Sequence, residues 1–184
     1  MADKTLLTIE QYAALGEDPP LVFYELSNGE LIVTPAPHSI HQEMRFEFVA
    51  RLKLFIKPRG LGKVKRGMDF QLGEATSRRP DVAFISNERL RGVDLAKVPL
   101  PAVPELAIEI LCNERADDLM KKVVQYLDAG VRFVWIFYPE IRLAHRYVPG
   151  KAVLETFSAA DNFTEPELLP GFTLKLEEIF SWAD

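Results

Sequence analysis

The chain has 184 residues, 48 % of them hydrophobic and 27 % charged, which suits a soluble globular protein with a real core. No stretch is apolar for long enough to span a bilayer, and the start Met1-Ala2-Asp3-Lys4-Thr5 lacks the basic flank and apolar block of a signal peptide. The lone Cys112 excludes an internal disulfide or a cysteine-rich zinc site, and the formal net charge of −5 argues against whole-surface attachment to nucleic acid. The expectation is one domain over residues 1–184, located in the cytoplasm.

Thr8 to Leu15 reads as a short helix, with Thr8 as its N-cap and Gly16 as its stop. Tyr24-Glu25-Leu26 and Glu30-Leu31-Ile32-Val33 flank Ser27-Asn28-Gly29, and Asn-Gly between apolar runs predicts a hairpin. Pro35 and Pro37 end its second strand. From His38 to Ile56 the residues Ile40, Met44, Phe48, Leu52 and Phe55 recur at helical spacing, and His41 falls inside that apolar stripe. Pro58 and Gly60 stop this helix. Lys63 to Leu72 reads as one strand with a bulge near Gly67.

Asp81 to Ile85 and Leu106 to Leu111 are apolar enough for central strands, with Pro99, Pro101 and Pro104 stiffening the connector between them. Residues 87–97 read as a loop with a helical turn. Asp117 to Ala129 is a helix with Leu119, Met120, Val123, Val124 and Leu127 on one face, and Gly130 ends it. Phe133 to Phe137 is another buried strand, closed by Pro139, and Leu143 to Val148 is its antiparallel partner. Strands around Val153 to Phe157 and Thr173 to Leu176 and a turn at Glu177 to Phe180 complete the chain. The order predicts an α/β (α+β) fold: a central mixed sheet flanked by helices and preceded by an N-terminal hairpin.

The chemistry concentrates in two strands that each carry an acid. Asp81 opens the run Arg79-Pro80-Asp81-Val82-Ala83-Phe84-Ile85, and Glu109 lies within Pro104-Glu105-Leu106-Ala107-Ile108-Glu109-Ile110-Leu111. Side chains alternate along a strand, so Glu109 shares a side with Glu105, Ala107 and Leu111. A carboxylate on a buried strand requires a partner, and two on successive strands suit a hard cation such as Mg2+. The alternative is that Asp81 caps a turn and Glu109 pairs with a buried arginine. Lys122 lies at the edge of its helix's buried face, next to Tyr126, where its stem can follow the apolar surface to a phosphate. The alternative is a surface pair with Asp118 one turn earlier, contributing about 0.2–0.5 kcal/mol. His41 reads first as a core histidine and Glu25 as a cross-strand partner. Cys112 follows the Glu109 strand with no histidine identifiable as its base. Lys57, Arg59, Lys63, Lys65 and Arg66 crowd one stretch, and Arg78 and Arg79 precede Asp81. They make either a local basic rim for nucleic acid or ordinary solvated charges. No phosphate-cradling glycine loop, nucleophile elbow or His-Glu-x-x-His is present.

At these residues the chain resembles the Uma2-type (DUF820) restriction-endonuclease-like family of the PD-(D/E)XK nuclease superfamily. The likeness runs through Tyr24-Glu25-Leu26, Gly29-Glu30-Leu31, Pro35, His41-Gln42, Arg79 to Phe84, and Pro104 to Glu109. It continues through Asp118, Lys122, Tyr126, Gly130, Trp135, Leu169-Pro170-Gly171-Phe172 and Phe180. The resemblance implies a restriction-endonuclease-like core in which Asp81 and Glu109 hold Mg2+ or Mn2+ and Lys122 is catalytic. The superfamily's usual lysine two residues after the second acid is replaced here by Leu111, and Lys122 matches the family's lysine on the following helix. Glu25 and His41 match positions near the same pocket, and Cys112 stands where the family commonly has serine. The implied activity is metal-dependent hydrolysis of phosphodiesters, with DNA as the expected partner. The rival readings are a non-catalytic binding or regulatory protein that keeps the fold, and a hydrolase of RNA or small phosphodiesters. A homodimer is a further expectation, with Phe180, Trp182 and the hairpin as apolar surface candidates.

Overall fold

The structure is a computed structural model that describes residues 6–35, 39–111, 115–150 and 154–181; Cys112 and Trp182 lie outside them. In chain order its elements begin with α1 (Ile9–Ala13), β1 (Val22–Ser27), β2 (Glu30–Pro35), α2 (Ser39–Ile56), β3 (Gly62–Arg66), β4 (Phe70–Gly73) and β5 (Thr76–Arg78). They continue with β6 (Val82–Ser86), β7 (Leu106–Ile110), α3 (Ala116–Asp128), β8 (Phe133–Tyr138) and β9 (Leu143–Tyr147). The last are β10 (Glu155–Ser158), β11 (Asn162–Thr164), β12 (Thr173–Lys175) and α4 (Leu176–Phe180).

Among the described residues, a six-stranded sheet runs in the order β10-β9-β8-β7-β6-β3. Every neighbouring pair in it is antiparallel except β7 and β8, whose parallel pairing needs a crossover, which α3 provides. All five residues of β7 are buried, as a strand covered on both faces requires. On one face, Met44, Phe48, Leu52 and Ile56 of α2 form a row at four-residue spacing against Val82, Phe84, Ile108, Ile110 and Phe137. On the other, Leu119, Val123 and Tyr126 of α3 meet Ala107, Val134 and Ile136. Glu109 therefore projects toward α3.

The hairpin forms with the expected turn: Asn28 and Gly29 have φ of 49° and 84°, the left-handed pair that a two-residue turn demands. It does not stand apart from the rest, because β1 pairs with β5 in a second sheet of order β2-β1-β5-β4. The strand expected over Lys63 to Leu72 breaks at Gly67, whose φ of 52° turns the chain from β3 in the central sheet to β4 in the second. Phe180, a surface candidate by sequence, is fully buried, with its ring 6.1 Å from that of Phe137.

Opposite the α3 face, buried Glu165 lies 3.3 Å from Arg146 Nη1. Burial raises its pKa from 4.5 to about 7, against the pull of Arg146. The native state then holds a proton that the unfolded chain has lost, so stability falls as pH rises from 4.5 through 7. Glu165→Gln is expected to change Tm more favourably at pH 8 than at pH 5 in thermal melts. An equal change at both pH values contradicts this assignment.

Candidate active site

The two strand acids are neighbours in the central sheet. Val82 pairs with Ile108, and continuing that antiparallel register by one step sets Asp81 beside Glu109. The Ile110 amide donates to Asp81 Oδ2 at 2.8 Å, which locks the Asp81 carboxylate against β7. Two residues one turn apart on α2 also reach Asp81. His41 Nε2 lies 3.0 Å from Oδ2, and Arg45 Nε lies 3.5 Å from Oδ1. His41 is thus a buried residue on the apolar stripe, as its spacing predicts, and is aimed at an acid.

Glu109 is held from α3. Tyr126 donates its hydroxyl to Glu109 Oε1 at 2.6 Å, and Lys122 Nζ lies 3.6 Å from Oε2. Burial, and then the nearby Glu109 charge, push the Tyr126 hydroxyl well above its ordinary pKa, so it stays a donor. Lys122 also meets Glu25 Oε2 at 3.4 Å. Glu25, 2 % exposed, accepts from the Arg79 amide at 2.7 Å and from Arg78 Nη1 at 3.1 Å. Gln125 of α3 receives a hydrogen bond from Arg78 Nε at 2.7 Å and donates to Ser27 Oγ at 3.0 Å. Asp81, Glu109, Lys122, Glu25, His41 and Tyr126 therefore form one connected cluster.

Other residues singled out from sequence lie elsewhere. Asp118 is exposed and pairs with Lys121 at 3.1 Å, so the expected Asp118–Lys122 pair gives way to Lys122's contacts with Glu25 and Glu109. Cys112 lies outside the described residues. Lys63 and Arg66 are exposed and Lys65 half-buried on β3, an edge strand of the central sheet. Arg78 and Arg79 are drawn inward. Arg78 pairs with Glu25, while Arg79 pairs with Asp18 and, at 2.6 Å, with Asp69. Burial works against the Arg79 charge, but the Asp69 and Asp18 carboxylates outweigh it and keep the guanidinium firmly charged. The sequence reading missed Arg45, although it stands four residues after His41 on the same helical row.

The donor set suits Mg2+ or Mn2+. Asp81 and Glu109 offer hard oxygen ligands, and each anchors one oxygen on a firm donor while its second oxygen faces a cation at 3.5 or 3.6 Å. Among the described residues no group of three or more His, Cys, Asp or Glu is arranged to cage a metal. The fit is therefore with the mode in which two carboxylates share an ion with water and phosphate. The described residues also contain no helix long and apolar enough to cross a membrane.

Comparison with known proteins agrees with this architecture. The sequence model of the Uma2 family, described as "Putative restriction endonuclease", matches residues 9–177. Among solved structures, the chain is similar to one described as a "putative nuclease belonging to DUF820" from Anabaena variabilis ATCC 29413. The TM-score is 0.85 at 21 % identity, over 97 % of this chain and 99 % of that one, a likeness of fold. No curated protein matches.

Glu25 on β1 joins β5, the Arg79 amide that follows it and α3 through hydrogen-bonded and charged contacts. Glu25→Ala is expected to lower unfolding free energy by about 3–5 kcal/mol, because it strands buried cations. Urea titration measures this, and a loss under 1 kcal/mol (about the size of a surface pair) would contradict it.

Proposed function

The chain belongs to the Uma2 family, and from that premise we propose that it acts as one domain over residues 1–184 and hydrolyses phosphodiester bonds in nucleic acid, with DNA as the substrate. The observation that carries this reading is the junction of Asp81 with β7: the Ile110 amide ties Asp81 beside Glu109, and Lys122 approaches Glu109 from the crossover helix. Asp81 and Glu109 would hold Mg2+ or Mn2+. The chemistry such an ion supplies is polarisation of a phosphoryl oxygen and a lowered pKa for water.

The chain's own groups perform the rest. The Ile110 amide and the Tyr126 hydroxyl fix the orientation of the two carboxylates, so little reorganisation is needed when substrate arrives. Lys122 brings a positive charge to the side of Glu109 where negative charge grows on the phosphate oxygens during attack. Glu25 holds that ammonium from its other side and limits its wandering. The exposed Lys63 and Arg66 and half-buried Lys65 on the edge strand supply a short basic track for a nucleic-acid backbone on an otherwise acidic protein. Substrate comparison separates DNA from RNA.

One observation favours a non-catalytic binding protein instead: the acids already face internal cations, Asp81 facing His41 and Arg45, and Glu109 facing Lys122. Calorimetric titration with Mn2+ decides between the two readings. A nuclease takes up the ion through Asp81 and Glu109, and a scaffold does not.

With supercoiled plasmid and Mn2+ or Mg2+, the protein is expected to produce nicked circles, and EDTA should prevent it. Asp81→Asn, Glu109→Gln and Lys122→Met are each expected to slow nicking by about a hundredfold or more while circular dichroism stays native. Nicking that survives all three changes rejects the site, and absence of nicking on both DNA and RNA rejects the activity.

A further inference from the structure

Arg45 is the arginine among the described residues that carries a buried nitrogen without a hydrogen-bond partner. Its side chain is 6 % exposed, and its one charged contact is Asp81 Oδ1 at 3.5 Å from Nε, beyond good hydrogen-bond length. Nε is buried without a hydrogen-bond partner. A guanidinium carries five N–H donors in a rigid fork and stays charged. Buried arginines normally satisfy that fork with carboxylate or carbonyl oxygens. Arg78 and Arg79 do so in this protein, through Glu25 and Gln125 and through Asp69 and Asp18.

The surroundings keep this fork in place. Gly67 lies directly against it: a Cβ there would stand 2.4 Å from Arg45 Nη2, and the φ of 52° already favours glycine. The absence of a side chain at Gly67 is what admits the guanidinium. Burial lowers the Arg45 pKa, and the like charges of Arg66 and Arg79 add to that, while Asp81 and Glu109 oppose it. A planar fork of donors is matched by an oxyanion with several acceptor oxygens.

We propose that Arg45 and Gly67 form the phosphate-binding element of the site, with the Arg45 guanidinium donating to the non-bridging oxygens of the phosphodiester beside Asp81. This rests on the nuclease reading for the identity of the ligand. The anion site itself rests on the buried Nε without a hydrogen-bond partner. Arg45 leans on Asp81 when no phosphate is bound and donates to the phosphate when substrate enters, so Asp81 is released from its cation as the substrate arrives.

The test is calorimetric titration of the full chain with inorganic phosphate in EDTA, beside Mn2+-dependent plasmid nicking. Arg45→Met is expected to weaken phosphate binding by about tenfold to a hundredfold, and Arg45→Lys by less, because charge is kept and the fork is lost. Gly67→Ala, which pushes the guanidinium without removing it, is expected to weaken phosphate binding as well. Should Arg45→Met prove unfolded by circular dichroism, Arg45→Lys and Gly67→Ala carry the comparison. In nicking, Arg45→Ala is expected to regain rate when millimolar guanidinium ion is added, a rescue that a purely structural role does not give. Phosphate affinity equal in wild type and folded Arg45 variants, or no phosphate binding by wild type, overturns the anion site even if nicking occurs. Phosphate binding that depends on Arg45 in a protein that cuts no nucleic acid upholds the anion site and rejects the nuclease reading instead.

Discussion

Glu25 is the contact on which the arrangement depends. One carboxylate, almost out of water, meets a backbone amide, a guanidinium and an ammonium from two other parts of the chain. A buried carboxylate without such partners would lose its charge or unfold its surroundings. With them it joins β1 of the second sheet to β5, to the approach to β6, and to α3. Lys122 is thereby placed between two acids, and its position follows from the charge balance of the interior rather than from its own flexible stem.

The central sheet does a different part of the work. Its apolar residues make a rigid floor whose two faces are covered by α2 and α3. The polar cluster sits where β6 begins and β7 ends, so apolar packing holds the acids without competing with them for hydrogen bonds. Tyr126 shows the division within one residue: its ring belongs to the α3 core and its hydroxyl to Glu109.

Much of this could be read from the chain alone, and the reasons are local. Asn28-Gly29 specifies its turn because few other residues tolerate two left-handed positions in a row. The row Met44, Phe48, Leu52 announces a helix because side chains four apart share a face. Asp81 and Glu109 stand out because acids are rare in strands this apolar. The second sheet was not legible, since β5 is Thr76-Ser77-Arg78, and its burial is compensated by partners distant in sequence: Asn28 for Thr76 and Glu25 for Arg78. Arg45 escaped notice for a related reason: an arginine letter suggests solvent, and only its place on the His41 row marks it as inward. Phe180 is buried because α4 packs it against Phe137, a tertiary contact that no local pattern announces.

The parallel pairing of β7 with β8 in the central sheet has a bearing on how such a site can diverge. The chain must climb back over the sheet between those strands, so the climbing helix always passes above the acid on β7. An ammonium can then leave the strand for the helix during evolution and still end in the same place. The arrangement has a matching fragility: each residue gained or lost within α3 ahead of Lys122 would turn that side chain by about 100° and shift it by about 1.5 Å along the helix. The spacing between the start of α3 and Lys122 is consequently fixed by the contacts of Lys122 with Glu25 and Glu109.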